Sequence, residues 1–242
     1  MKKILTILIL ILIAGCAAKE PPFDSKAAFS RAEGKMQNEE FEDARKAYQA
    51  IQEKLPERSY DPVLMLRIAD TYFGEKKYSE AQVEYQAFLN YHPVHRDSAY
   101  AQYQVAMCSY KEMSTIDRDP TPNHVVIREM RKLLEKYPKS IYTDEANRYI
   151  LICRDRLAQY ELYVAKFYYK KDSYKAAADR CEKLLKNYPG SVVAQDALYY
   201  AGLSYMELGE RDKARLKFET LAKEYPEMQS KAQSYLRSLT KK

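Results

Sequence analysis

The chain has 242 residues, of which 40 are basic and 34 acidic, giving a formal net charge of +6 at pH 7. The basic residues are dispersed, with no run of five, so nucleic-acid binding is not expected. The sequence has only six glycines, and it lacks a P-loop, a Rossmann glycine pattern, a nucleophile elbow and an HExxH motif. We therefore expect no catalytic site and no cofactor, and the chain is not interpreted as an enzyme.

The amino terminus has the order of a secretory signal peptide. Lys2 and Lys3 precede an apolar run over residues 4–13, and the small residues Ala14 and Gly15 follow, directly before Cys16. The run is too short for a permanent membrane span. Residues 13–16 (IAGC) also fit a bacterial lipobox, which predicts cleavage after residue 15 and a covalent lipid on Cys16. The alternative is an ordinary signal peptide followed by an unrelated cysteine.

The residues after Cys16 indicate where the anchored protein resides. Ala17 and Ala18 follow the cysteine, and neither is the aspartate that retains lipoproteins in the inner membrane. We therefore expect lipid anchoring at the periplasmic face of the cell outer membrane. Removal of residues 1–15 takes away Lys2 and Lys3, which lowers the charge from +6 to +4. Residues 16–25, which include Pro21 and Pro22, are predicted to form a lipidated tether.

The next feature is an internal repeat. Five predicted helices stop at a proline, and an alanine lies twelve residues before four of these prolines, with a large or apolar residue four positions after the alanine. The prolines are Pro56, Pro93, Pro138, Pro189 and Pro226; the alanines are Ala44, Ala81, Ala177 and Ala214; the residues after them are Tyr48, Tyr85, Cys181 and Phe218. A small residue lets two helices approach closely, and the larger one fills the space one turn later.

The first helices of three predicted pairs carry a matching signature, in which a small residue precedes a tyrosine by three positions: Ala69 and Tyr72, Ala165 and Tyr168, Gly202 and Tyr205. These offsets are typical of tetratricopeptide repeats. The sequence therefore predicts an all-α fold, a superhelical stack of about five helix-turn-helix repeats. Residues 26–93 would form repeats 1 and 2, and residues 94–242 repeats 3 to 5.

Two insertions explain why the proline spacing exceeds the usual repeat length. Residues 113–122 interrupt any helix, and a long helix is predicted from Tyr142 to about Lys171, with packed residues at both ends that could serve two repeats at once. Within the first insertion, residues 117–120 (DRDP) are either an acidic pair held by an arginine or a loop whose aspartates cap the following helix. We favour the second interpretation.

The cysteines and histidines indicate neither a disulfide framework nor a metal site. Cys108, Cys153 and Cys181 are odd in number and widely spaced, so we expect buried thiols, although a pair could oxidise if the fold brought two together. His92 and His95 are separated by Pro93, which prevents a helical pair of ligands, and no metal is expected.

The most specific segments are residues 117–120 (DRDP), 137–142 (YPKSIY), 154–169 (RDRLAQYELYVAKFYY), 177–180 (AADR) and 188–191 (YPGS). Through them the chain resembles the BamD family, lipoproteins of the β-barrel assembly machinery of the Gram-negative outer membrane, from Cys16 to about Ala214. The resemblance implies a non-catalytic scaffold whose amino-terminal repeats receive unfolded outer-membrane proteins. It implies that the carboxy-terminal repeats dock on a POTRA domain of a BamA-like barrel subunit, with other assembly lipoproteins as further partners.

Individual residues follow from this resemblance and from the repeat geometry. Arg180 occupies the position at which the family is thought to contact an acidic POTRA residue; the alternative is an exposed helical cation of little energetic weight. A stack of helix pairs offers a long surface for an extended segment, and Tyr72 and Tyr103 are candidate members of such a substrate groove.

Two other classes of protein stay open at this point. One is another periplasmic repeat lipoprotein, such as a pilotin-like protein or a cell-wall-synthesis adaptor, which would lack residues 117–120 (DRDP) and the RLAxYE pattern of residues 156–161. The other is an enzyme or an enzyme-regulating subunit of peptidoglycan metabolism, which would need a pocket with paired carboxylates.

Overall fold

The computed structural model describes residues 23–58 and 61–240, with no side-chain description for Arg58. The predicted signal peptide (residues 1–15), the lipidation site Cys16 and most of the tether lie outside the described residues, and these remain predictions. The chain divides into two compact units, residues 1–59 and residues 60–242.

The described residues form α-helices and two short 3-10 helices, and no strand occurs among them. The first unit contains α1 (Ser25–Gln37), α2 (Phe41–Lys54) and a 3-10 helix (Pro56–Arg58). The second unit contains α3 (Pro62–Gly74), α4 (Tyr78–Tyr91), α5 (Ser98–Lys111), α6 (Thr121–Lys136), α7 (Thr143–Lys170), α8 (Tyr174–Asn187), α9 (Ala194–Glu207), α10 (Arg211–Glu224), a 3-10 helix (Pro226–Met228) and α11 (Gln229–Thr240).

These helices confirm the predicted all-α class and the five repeats. Consecutive helices pack as pairs, α1 with α2, α3 with α4, α5 with α6, α7 with α8 and α9 with α10, and α11 packs on α10 after the last pair. The predicted grouping of the repeats, with its boundary between residues 93 and 94, stays a prediction.

The spacing that indicated the repeats corresponds to the way the helices pack. All four signature alanines and all four residues one turn after them are completely buried: Ala44, Ala81, Ala177, Ala214, Tyr48, Tyr85, Cys181 and Phe218. Burial of a large side chain stabilises the fold by roughly 1.5–3 kcal/mol. The face that carries these residues therefore holds the second helix of each pair against its neighbours.

The turn inside four of the five repeats uses a residue in the left-handed region. Glu39, Lys76, Asp172 and Gly209 have φ values of 60°, 62°, 57° and 73°. The amide of the next residue in each turn donates to a carbonyl five positions back, as in Lys77 N to Tyr72 O at 2.9 Å and Glu210 N to Tyr205 O at 2.9 Å. This is the Schellman arrangement, in which the turn satisfies carbonyl oxygens at the end of the first helix.

The long helix α7 belongs to two hydrophobic cores, as the sequence predicted. Its first half contributes Ala146, Cys153 and Leu157 to a core shared with α5 and α6. Its second half contributes Ala158, Leu162 and Ala165 to a core shared with helices α8 to α11. With 28 residues the helix is about 42 Å long, which is enough to serve two repeats.

The insertion before α6 ends in a loop whose last aspartate binds the first residue of that helix. The side chain of Asp119 accepts hydrogen bonds from the Thr121 amide at 2.9 Å and from the Thr121 hydroxyl at 2.6 Å. These two hydrogen bonds hold the pKa of Asp119 below its usual value, so the carboxylate stays ionised. Asp119 thus satisfies the first amide of α6 from the position before the N-cap residue Pro120, and the interpretation of residues 117–120 as a loop is supported.

The three cysteines in the described residues are buried free thiols, as predicted: Cys108, Cys153 and Cys181. Burial raises the pKa of each thiol to about 12. Among the residues that the structure covers, no helix combines the length and the apolar character that crossing a bilayer would require.

Candidate functional site

A pocket on the first helices of the second unit combines tyrosines with charged side chains. It has a volume of about 340 Å³ and lies where α3, the turn before α5, α5 itself and the turn before α7 meet. We call it the Asp70 pocket. Its lining consists of Val63, Leu66, Arg67, Asp70, Arg96, Asp97, Tyr100 and Tyr142.

Asp70 organises the polar side of this pocket. Its Oδ1 accepts the Tyr85 hydroxyl at 2.6 Å and the Tyr100 hydroxyl at 2.7 Å, and its Oδ2 lies 3.3 Å from the Arg67 guanidinium. Burial, together with the nearby Asp70 charge, raises the pKa of Tyr85 and Tyr100, so both hydroxyls remain protonated donors. This carboxylate, which is 12% exposed and held by three donors, fixes the positions of α3, α4 and α5 relative to one another.

Tyrosines continue from the Asp70 pocket along α5 and α7. The rings of Tyr103 and Tyr142 stack with centroids 4.9 Å apart, and Tyr142 also lies 6.2 Å from Tyr100. Farther along, the rings of Tyr110 and Tyr149 meet edge to face at 4.7 Å. This tyrosine row provides an aromatic wall that an apolar side chain of an extended segment can contact.

The two tyrosines proposed for a substrate groove have different positions. Tyr103 belongs to the tyrosine row, and burial raises the pKa of its hydroxyl. Tyr72 instead packs against the core formed by α3, α4 and α5, and its carbonyl accepts the turn hydrogen bond. Neither residue lines the Asp70 pocket, and a role in substrate contact stays a prediction for both.

Sequence reasoning did not identify Asp70, Tyr100 or Tyr142 as site residues. One signal was available, because Asp70 is an acidic residue within a helix that is otherwise largely apolar. Such a residue is placed there only when partners compensate its charge. Its tyrosine partners come from other helices, so the sequence offered no local indication of which tyrosines they are.

A second charged site lies between α7 and α8 and includes Arg180. The Arg180 guanidinium donates to Glu161 Oε2 at 2.9 Å, and Lys183 Nζ donates to Glu161 Oε1 at 2.6 Å. The Glu161 side chain is 9% exposed, whereas those of Arg180 and Lys183 are 36% and 53% exposed. We call these three residues the Glu161 cluster.

The Glu161 cluster carries one negative and two positive charges. The hydrogen bond to Glu161 raises the pKa of Arg180, which therefore remains charged. Because a single carboxylate faces two cations, the cluster has an excess charge of +1 at a partly exposed surface. Arg180 is thus paired inside the chain, and it also retains the exposure needed to contact an acidic group.

Comparison with known proteins finds similar sequences that cover most of the chain. Residues 22–221 match the YfiO family, described as an outer membrane lipoprotein. The outer membrane protein assembly factor BamD of Rickettsia prowazekii is 28% identical over 99% of this chain and 97% of its own length. The protein of the same name from Vibrio cholerae is 25% identical over 85% of this chain and 91% of its own length.

The fold is also similar to solved structures of repeat proteins. The TPR2AB domain of yeast Sti1, in its complex with pHSP90, is 11% identical with a TM-score of 0.49, over 84% of this chain and 78% of that one.

Proposed function

Since residues 22–221 match its profile, the chain belongs to the YfiO family of outer membrane lipoproteins, and we propose that it is a non-catalytic scaffold of outer-membrane β-barrel protein assembly. The observation that carries this proposal is its relationship, over nearly its whole length, with relatives named as outer membrane protein assembly factors. In this role the protein is anchored by a lipid on Cys16 at the periplasmic face of the outer membrane.

The Glu161 cluster is the proposed docking site for a POTRA domain of a BamA-like barrel subunit. An acidic residue of the partner would approach Arg180 and compensate the excess positive charge of the cluster. A charge pair at a partly exposed surface contributes modestly to affinity, and it determines orientation and partner choice. Surrounding contacts would supply most of the binding energy.

The Asp70 pocket and the tyrosine row are the proposed receiving surface for unfolded outer-membrane proteins. Strands of transmembrane barrels alternate apolar and polar residues, so an extended strand segment presents both kinds of side chain. Tyr100, Tyr103 and Tyr142 offer aromatic surface to the apolar residues, while Arg67 and Asp70 offer both charge signs to the polar ones. Contacts of this kind are weak individually and permit many different substrates.

The docking proposal is tested by a detergent pull-down that compares the wild type with Arg180→Glu. Lys175→Glu is the matched control, because Lys175 lies on the same helix and pairs with Asp179 and not with Glu161. We expect the wild type and the control to retain a POTRA-containing barrel protein and Arg180→Glu to lose it. Retention of a secretin or a cell-wall synthase in its place would instead favour the other class of periplasmic repeat lipoprotein.

The substrate proposal is tested separately with a photo-reactive amino acid at Val63, which lines the Asp70 pocket and is 41% exposed. The probe is a peptide that comprises the last strand of an outer-membrane barrel. The same photo-reactive group at Leu216, an exposed position on α10, is the control. We expect crosslinks from position 63 only, and equal crosslinking from both positions would contradict the proposal.

A further inference from the structure

A second groove lies between α4 and α6, with α5 as its floor. Two connected cavities form it, with volumes of about 700 and 540 Å³, and both are lined by Gln86 and Asn90. We call it the outer groove. None of its lining residues belongs to the Asp70 pocket or to the Glu161 cluster.

One wall of the outer groove is a row of side-chain amides. Gln82, Gln86 and Asn90 follow one another at intervals of four residues, so they lie on the same face of α4. Gln86 donates to Asn90 Oδ1 at 3.2 Å, and Gln82 donates to the Val105 carbonyl at 3.2 Å and to the Ser109 hydroxyl at 3.0 Å. A side-chain amide has both a donor and an acceptor, so it can pair with a peptide group of any sequence.

The outer groove is open where a comparable gap in the same unit is closed. Between α8 and α10 an ion pair crosses the gap, with Lys217 Nζ 2.8 Å from Glu182. In the outer groove, the hydrogen bonds of Gln82, Gln86 and Asn90 within the described chain reach α5 or each other, and none reaches α6. The space between these three amides and α6 is therefore open, and it ends beyond Lys136, where the Tyr137 hydroxyl donates to the Pro93 carbonyl at 3.0 Å.

The two ends of the outer groove carry opposite charges. Glu112 and Asp119 line the end near the start of α6. Lys132 and Lys136 line the other end. Glu129 is shared by Lys132, at 3.0 Å, and Arg128, at 2.7 Å, whereas Lys136 has no ion pair among the described residues.

The length of the groove sets the size of a ligand. The 16 residues of α6 span about 24 Å, and an extended chain advances about 3.3 Å per residue, so roughly seven residues fit. The charges favour a segment that carries a basic residue near Glu112 and an acidic residue or a terminal carboxylate near Lys136. Such a segment would run parallel to α6.

We propose that the outer groove is a second polypeptide-binding site, which holds an extended segment of about seven residues with its acidic, carboxy-terminal end at Lys136. Its main chain is bound by Gln82, Gln86 and Asn90, so recognition depends on charge order more than on side-chain identity. The site is independent of the proposed assembly function, because it uses a different face of α4 and α5 and no residue of the two sites described above.

The test uses the full chain in detergent and two acetylated seven-residue peptides that differ only in charge order. One reads Lys-Thr-Val-Ser-Val-Thr-Glu and the other exchanges its terminal lysine and glutamate; in both, a benzophenone replaces the central serine. Affinity is measured by fluorescence anisotropy, and crosslinked residues are identified by mass spectrometry. We expect the first peptide to bind about fivefold more tightly and to crosslink to α4 or α6.

Two sets of variants separate the groove from general binding. Gln86→Leu with Asn90→Leu should weaken both peptides at least about tenfold, whereas Asn147→Leu, an exposed amide on α7, should bind like the wild type. Glu112→Lys with Lys136→Glu should reverse the preference between the peptides. Equal affinity for both peptides, unchanged binding by the leucine variants, or crosslinks at the Asp70 pocket would each overturn the proposal. Circular dichroism verifies that every variant retains its helices.

Discussion

Gly202 on α9 lies directly against the ring of Phe218 on α10. A Cβ atom on Gly202 would be 2.6 Å from Phe218 Cζ, closer than side chains can approach. The Phe218 ring is completely buried and stacks on Tyr235 with centroids 4.9 Å apart and an interplanar angle of 8°. The ring therefore cannot move aside without breaking a second contact. The fifth repeat needs glycine where two other repeats have Ala69 and Ala165.

Gly202→Ala should accordingly destabilise the protein. Overpacking costs about 1–3 kcal/mol, and the better helix propensity of alanine returns about 1 kcal/mol, so we expect a net loss of roughly 1 kcal/mol. Urea denaturation followed by circular dichroism measures it. The control is Gly34→Ala on α1, where nothing lies within 4 Å of the new methyl group, and it should be neutral or stabilising. Equal effects at the two positions would refute the steric explanation.

The left-handed turn of the fifth repeat gives a second prediction. Gly209 has a φ of 73°, a conformation that costs a residue with a side chain about 1–2 kcal/mol. Gly209→Ala should therefore lower the free energy of unfolding by roughly 1 kcal/mol. Gly190→Ala, in a turn without positive φ and with nothing within 4 Å, should have a small effect. Conversely, Lys76→Gly should be tolerated, because Lys76 already has a φ of 62°.

The buried thiols predict a loss of stability at alkaline pH. Burial raises the pKa of Cys181 from 9.0 to about 12, so above pH 9 the unfolded chain releases a proton that the folded chain retains. The contribution of the thiol to stability is complete below pH 9.0 and falls by up to about 1.4 kcal/mol per pH unit as the pH rises towards 12. We expect the urea midpoint to decrease as the pH rises from about 9 towards 12.

Cys181→Ala should make this pH dependence shallower, because one titrating group is removed. Leu184→Val, another buried change on α8, is the control and should lower the urea midpoint equally at each pH. An unchanged slope in Cys181→Ala would mean that other groups, such as buried tyrosines, account for the alkaline loss.

The pairing of Arg180 with Glu161 predicts how partner affinity can be increased. Docking on an acidic residue requires Arg180 to give up part of this intramolecular bond, which at 36% exposure is worth at most about 1 kcal/mol. Glu161→Gln removes the competing charge, so we expect affinity for a POTRA-containing barrel subunit to rise about threefold to fivefold in titrations. Asp179→Asn, which disturbs the exposed pair with Lys175, should not change affinity. Weaker binding by Glu161→Gln would indicate that Glu161 orients Arg180 for the partner.

The helix pairs could be predicted from the sequence because their determinants are local. Each alanine, the residue one turn after it and the proline at the helix end lie within thirteen residues, and all act on one helix. The Asp70 pocket depends on contacts across 15 and 30 residues, from Asp70 to Tyr85 and Tyr100. With 23 tyrosines in the chain, the sequence does not indicate which of them donate hydrogen bonds to a carboxylate. For the same reason Tyr72 could not be distinguished in advance from a core residue.

The helix α7 also determines how the protein can be divided or rearranged. In an array of self-contained repeats, a unit can be duplicated, deleted or expressed alone by cutting at a turn. Here a cut within α7 would remove core residues from one side or the other, since Leu157 and Ala158 are neighbours in sequence and serve different cores. Fragments for biophysical work, and gene rearrangements during evolution, must therefore keep all 28 residues of this helix together.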